Sequence, residues 1–338
     1  MKQLSTNIYQ STTTANRASR RALVAAFLLL ASSVQAGTLG VFTSDAAGFD
    51  THTFYYDDGK EVTLIDTQFV PTLTAAMVRK VRCDTGSPIT RVIVTHPNPD
   101  KFNGLAYLHG LGVRSISSTG VADAMPAVHL YKKAFWTKTM KAFAPADYPA
   151  FENVQERFDG QRVLKLASGE TITLVALRHA GVAAQQVVVR LDATGDLIVG
   201  DLVHHHAHAW LEGGLVDGKP VPRIGEWIAA LDELPALSAG FPAAKVYGGR
   251  GEFVPVAQAV EAQQAYLRQA DTLVRSYVGG LGARRPELWN AEATAKHSVE
   301  LEHRFVAAFP DYRLPYMVRY SVYGLAQVGA SESIAPDQ

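Results

Sequence analysis

Cysteine is almost missing from this chain of 338 residues: Cys83 is the single one. No intramolecular disulfide can therefore form, and a zinc site built on thiolates is excluded. Lying just before Asp84-Thr85-Gly86-Ser87-Pro88, Cys83 reads as a bystander at a helix end. Basic runs are missing too, and 32 Lys and Arg balance 32 Asp and Glu, which argues against nucleic acid as a partner. No internal repeat or low-complexity tract occurs. The sustained apolar run at the N-terminus, Ala22 to Val34, is too short to cross a bilayer comfortably as a permanent helix.

That run has the form of an export signal instead. Arg17, Arg20 and Arg21 precede it, and Val34-Gln35-Ala36 offers a small-residue cleavage site, so residues 1–36 read as a secretory signal peptide. Ser19-Arg20-Arg21-Ala22-Leu23 also resembles a twin-arginine signal. The expected location is the periplasm or the medium, with no stable membrane span after cleavage. Losing Lys2, Arg17, Arg20 and Arg21 leaves 28 basic residues against 32 acidic ones, a net charge of −4.

The stretch Arg91 to Gly104, RVIVTHPNPDKFNG, organises the rest. An apolar, β-branched strand stops abruptly in a polar loop carrying His96, Asn98, Asp100 and Lys101. Pro97 and Pro99 fix the backbone around Asn98, so ordering such a loop costs little additional entropy.

Around it, strand and helix patterns alternate. TLGVFTSD and HTFYYDDGKEVTLID read as strands with a turn at Asp57-Asp58-Gly59-Lys60, PTLTAAMVRKVR reads as a helix, and RSISS as the next strand. RVLKLA, ETITLVAL, QQVVVRLD and DLIVGD are four further strands, with His179 and Asp201 at strand ends. Residues 120–160 are looser and rich in aromatics, Trp136 and Tyr148 among them, serving as core or as an apolar lid. Residues 223–237 are helical, AAKVYGGRG is a last strand and turn, and three helical stretches follow from Val254. The alternation indicates an α/β sandwich.

At these residues a resemblance enters. His96-x-Asn98-x-Asp100-Lys101, after a strand and before Gly104, resembles the H-x-H-x-D-H signature of the metallo-β-lactamase superfamily, with two of its four positions changed. Asp66 in LIDT is similar to the end of that family's early strand, and His179 falls at its third histidine. Asp201 falls at the bridging aspartate, and Arg250 in VYGGRGE stands where the final histidine is expected. GDLVHHHAHAWLEGG with the later Trp227 resembles a branch in which a histidine and an aromatic follow that aspartate. The resemblance implies an αββα sandwich over 37–253, a helical C-terminal appendage over 254–330 and a disordered tail over 331–338.

It also implies roles. His96, Asn98, His179 and Asp201 correspond to the first metal site, and Asp100, Lys101 and Arg250 with Asp201 to the second. Lys101 and Arg250 offer no lone pair, which excludes a second ion. Two buried carboxylates would cost several kcal/mol unless cations faced them, so Lys101 and Arg250 are expected to form an ion-paired cluster with Asp100 and Asp201. Two classes of function follow. One is an exported hydrolase with at most one zinc ion, in which bound water attacks a small ester, lactone or amide substrate, Asp100 is the base, and Lys101 or Arg250 steadies the oxyanion. The other is a metal-free descendant that keeps the pocket for ligand binding or interaction. His208 is expected near the substrate, His204 to His206 in solvent, and His109, His129, His297 and His303 in helix packing.

Overall fold

The computed structural model describes residues 37–332, so the expected signal peptide and residues 333–338 of the expected tail lie outside the described residues. The final helix runs to Glu332, two residues into the stretch expected to be tail.

Local chemistry sets the first elements. β1 (Thr38–Thr43) pairs antiparallel with β2 (His52–Asp57), and β2 with β3 (Val62–Ile65). Between β2 and β3, Asp58 Oδ1 accepts the amides of Lys60 at 2.8 Å and Glu61 at 2.7 Å. Gly59 takes φ 81° there, a conformation that other residues avoid. Pro71 opens α1 (Pro71–Thr85) where its missing amide costs nothing, and Gly86 closes it with a left-handed cap onto Arg82 O. β4 (Ile89–Ile93), β5 (Arg114–Ser118) and β6 (Glu156–Phe158) then add in parallel, giving the order β1-β2-β3-β4-β5-β6. Two short helical pieces, Pro99–Phe102 and Leu105–Gly110, follow β4, and α2 (Thr119–Ala134) follows β5, winding into a π-helical turn at Phe135–Thr139.

The second sheet is built from β7 (Gln161–Lys165), β8 (Thr171–Ala176), β9 (Val187–Leu191) and β10 (Leu197–His205). A small ribbon of β11 (Gly214–Val216) and β12 (Lys219–Val221) and the helix α3 (Ile224–Asp232) intervene before β13 (Lys245–Gly251) and β14 (Val254–Pro255). Its order is β14-β13-β10-β9-β8-β7, with β10 and β13 parallel and the other neighbours antiparallel. All nine residues of β10 are buried, which suits a central strand covered on both faces.

Two apolar cores hold these layers. One joins α1 and α2 to both sheets through Met77, Met125, Val92, Ile116, Leu174 and Ile198. The other joins the second sheet to α3, α4 (Val256–Leu281), α5 (Ala291–Ala308) and α6 (Tyr316–Glu332), with Val199, Val246, Trp227, Leu267, Phe305 and Val322 packed together. The expected break after 253 is therefore not a structural boundary: α4 to α6 form the outer layer of the second sheet and share its core. Trp136 and Tyr148 from the loose segment are buried in that same core. Among the described residues no helix is long and apolar enough to cross a membrane.

Candidate functional site

The polar loop after β4 enters the interface between the two sheets. Asp66, just past β3 with φ 68°, accepts the Thr95 amide and the Thr95 hydroxyl, both at 2.8 Å. Thr95 has one hydroxyl proton and gives it to Asp66, so the 3.0 Å contact between Thr95 Oγ1 and His96 Nδ1 is donated by the ring. His96 Nε2 then faces Asp201 Oδ2 at 3.7 Å, in a side chain wholly shielded from solvent. Burial pushes the Asp66 carboxyl up to about 6 against the pull of Lys101 and His96. Gly200, at φ 53° on β10, makes room: a Cβ there would stand 2.3 Å from Thr95 Oγ1.

Four charges meet beside this relay. Lys101 Nζ lies 2.9 Å from Asp100 Oδ2 and 2.9 Å from Asp201 Oδ1. Arg250 reaches Asp201 Oδ2 at 2.7 Å and Asp100 Oδ2 at 3.0 Å through its two Nη atoms. Its remaining donors go to Phe49 O at 2.6 Å and Thr51 Oγ1 at 2.7 Å, and Thr51 passes its own proton to Asp100 Oδ2 at 3.0 Å. All four charged side chains are buried. Burial pushes the Asp201 carboxyl up, but Arg250 and Lys101 outweigh it and hold the group well below the usual carboxylate range. Asp100 is lowered in the same way by Lys101 and Arg250 despite burial and the charge of Asp201. Backbone placement follows from the strands: β10 and β13 are parallel neighbours with His204 opposite Arg250. Gly249 is required by this approach, because a Cβ on it would fall 1.9 Å from Asp201 Oδ1.

Beside the quartet is a cleft of about 340 Å³ of empty space, counting its open mouth. Asn98, Asp100, Asp201 and Arg250 form its polar side, and Phe49, Phe69, Trp136, Trp210 and Met317 its apolar wall. Phe49, at φ 61°, was not visible as a site residue in the sequence, nor was Thr51. Lys132 also lines the cleft and makes a short ion pair with Glu212. Glu212 further accepts Trp210 Nε1 at 2.8 Å, Tyr131 Oη at 3.1 Å and Tyr323 Oη. Lys132 Nζ stands 4.5 Å over the Trp210 ring. This second buried charge pair is marked by no local motif in the sequence.

Other expected site residues lie elsewhere. His179 is half-exposed and its Nδ1 is held at 2.9 Å by Glu233, whose carboxylate also accepts the amides of Arg178 and His179. His208 is fully buried, 3.2 Å from Tyr266 Oη and ringed by Tyr266, Phe305, Phe309 and Tyr312. It belongs to the core under α4 and α5 and does not line the cleft. His204 and His205 are buried rather than solvated, and only His206 of the three is exposed. His204 turns its Nε2 towards Asp201 Oδ1 at 3.5 Å. His109 bonds Ser115 and Glu152, His129 packs on Phe102 and Phe151, His297 bonds Tyr277, and His303 is exposed.

A zinc centre does not fit this donor set. On the side where a second ion would need lone pairs, Lys101 and Arg250 present N–H groups. For a first ion, His96 Nε2 and Asp201 Oδ2 are 3.7 Å apart, but both Asp201 oxygens are already engaged by cations. His179 does not complete the set: among the described residues, the three or more ligand atoms that come within 4.8 Å of one another belong to His205, His206 and Glu252.

The family model described as the metallo-beta-lactamase superfamily matches residues 46–249, more than half of the chain. Two solved structures carry the same fold. A metallo-beta-lactamase from Pontibacter korlensis matches with TM-score 0.50 and 16% identity, over 69% of this chain and 94% of its own. The metallo-beta-lactamase FIM-1 from Pseudomonas aeruginosa in its mono-zinc form matches with TM-score 0.50 and 14% identity, over 69% and 90%.

Proposed function

We infer, from the premise that this chain belongs to the metallo-beta-lactamase superfamily, that it is a ligand-binding member whose metal chemistry has been replaced by a buried ion quartet. One observation carries this: Lys101 Nζ bridges Asp100 and Asp201 at 2.9 Å each while Arg250 closes the other side. A cation approaching Asp201 meets two cations already neutralising it, and expelling either would leave two buried carboxylates sharing one. Because Arg250 and Lys132 are both internally paired, the cleft offers an aromatic wall and a balanced polar floor. That combination suits a small, uncharged, largely apolar molecule.

A second reading is favoured by His96, whose ring is oriented through Thr95 and Asp66 and whose Nε2 faces Asp201 Oδ2 at 3.7 Å. In it His96 and Asp201 would hold a single ion once Lys101 or Arg250 gave way, and that ion would supply an activated water for attack on a small ester, lactone or amide. Phenyl acetate separates the two. Under the first reading it quenches the fluorescence of Trp136 and Trp210 without being turned over, and chelators change nothing. Zinc-dependent hydrolysis abolished by His96→Ala would establish the second. Export through the signal over residues 1–36 belongs to the same proposal, and N-terminal sequencing of the mature protein from the periplasmic fraction tests it.

A further inference from the structure

At the C-terminal end of β10, just beyond the paired His204 and Arg250, three ligand-type side chains that do not line the cleft come together. His205 ends β10 opposite Gly251, and the Glu252 amide donates to His205 O at 3.1 Å, which pins the carboxylate beside the imidazole. The next residue, His206, is in the left-handed conformation at φ 54°. Consecutive residues of a strand point to opposite faces, and this twist instead lays the His206 ring on the His205 ring, centroids 4.2 Å apart and planes at 28°. A third segment fixes the twist, since the Arg313 amide donates to His206 O at 3.0 Å. A non-glycine residue at positive φ is strained, and such strain persists where the surroundings enforce it.

We propose that His205, His206 and Glu252 form a transition-metal site, zinc-type in its preference. His205 Nδ1 lies 3.6 Å and His206 Nδ1 3.5 Å from Glu252 Oε2. Ligand atoms around tetrahedral zinc are spaced by about 3.3 Å, given metal–ligand bonds near 2.0–2.1 Å, so both nitrogens already stand within a few tenths of an ångström of that spacing from the carboxylate. Binding also requires the half-exposed His206 ring to turn out of its stack on His205 so that both lone pairs face one ion. An independent observation points the same way: His205 Nδ1 is buried without a hydrogen-bond partner, in a side chain only 3% exposed. A buried nitrogen of this kind is costly to leave unpaired, and metal coordination satisfies it. Access is not a barrier, because His206 and Glu252 are about half exposed and border solvent. Two imidazoles and one carboxylate suit zinc, nickel or copper and not magnesium or calcium, and leave a coordination position for water or an external ligand.

The test uses the full chain stripped of metal with a chelator and titrated with zinc chloride, with cobalt as the optical probe. The expected result is one zinc per chain, and visible cobalt bands of a four-coordinate N/O site. His206→Ala and Glu252→Gln should each weaken zinc at least about 100-fold while leaving the unfolding midpoint in chelator unchanged, both side chains being half exposed. Absence of zinc binding by the full chain would overturn the proposal, as would zinc binding that both substitutions leave intact. Zinc lost with His96→Ala but kept by His206→Ala would place the ion at the quartet, overturning this proposal and the metal-free reading together. Loss with His206→Ala alone supports both.

Discussion

The ammonium of Lys101 stands 2.9 Å from Asp201 Oδ1, and neither side chain is accessible to solvent. Solitary buried charges are expensive, and a pair breaks even only when its remaining donors and acceptors are satisfied. Here Arg250 bonds the other Asp201 oxygen and Thr51 bonds Asp100, while Lys101 Nζ and Asp201 Oδ1 are held by their mutual charge and by no well-directed hydrogen bond, so the quartet acts as one unit whose members cannot be removed singly.

Lys101→Met should therefore cost about 3–5 kcal/mol of stability, read from urea unfolding. Adding Asp100→Asn to it should recover a substantial part of that loss, since one carboxylate, Asp201, then faces one guanidinium, Arg250. A Lys101→Met protein within about 1 kcal/mol of the parent would mean that the quartet contributes little.

Two windows of the pH dependence share one sign, stability lost towards acid, while Asp66, raised by burial to about 6, opposes them between about 3.9 and 6. His52 is buried between Phe54 and Phe253, bonded to Thr43 Oγ1 and Gly251 O. Burial, opposed only by the Gly251 carbonyl, drives its ring down to about 4. Its folded value lies below the unfolded one near 6.5, so its contribution is complete above about 6.5 and is lost as pH falls towards 4, at up to about 1.4 kcal/mol per unit. Asp100 and Asp201, lowered by their cations, contribute above their unfolded value of about 3.9 and lose that contribution below it. His52→Gln should flatten the stability curve between pH 6.5 and 4.5 by one proton. An unchanged slope in urea midpoints across that range would contradict the assignment.

Two glycines should respond oppositely to alanine. In Gly249→Ala the new methyl meets Asp201 Oδ1 at 1.9 Å, which forces the quartet apart and should cost about 3 kcal/mol. In Gly279→Ala, inside α4, nothing lies within 4 Å of the new carbon, and better helix propensity should add up to about 1 kcal/mol. Thermal melts of the two variants compare them directly.

Tyr323→Phe removes one donor from Glu212, leaving Lys132, Trp210 and Tyr131, and should cost about 1–3 kcal/mol. Lys132→Met should cost more, because it strands a buried carboxylate and empties the space over the Trp210 ring. Equal losses in chemical denaturation would show that the hydroxyl and the ammonium are interchangeable there.

Much of this architecture could be read along the chain. The strands of both sheets are marked by apolar runs cut by Gly59, Gly169 and Gly195 at positive φ, and the quartet followed from charge alone, because two cations stood where the superfamily resemblance places metal ligands. What escaped depends on partners distant in sequence. His179 is held by Glu233, 54 residues away, and a motif cannot announce that. His208 is enclosed by Tyr266 and by Phe305, Phe309 and Tyr312 from the far end of the chain. The histidine run was expected in solvent, but His204 and His205 end a strand that is buried along its whole length, and only His206 beyond it is exposed. Glu252 came near it only through the pairing of β10 with β13.

The outer helices bear on how this protein can be taken apart. Val199 and Val246 of the second sheet are covered by Leu267, Phe305 and Val322, and Tyr316 at the start of α6 bonds Asp50 in the loop that supplies Phe49 and Thr51. A gene fragment trimmed to the stretch that the family model recognises would lay bare an oily sheet face and unmoor that loop. It should come out of cells as aggregate, and the C-terminal helices cannot be traded as a cassette between relatives.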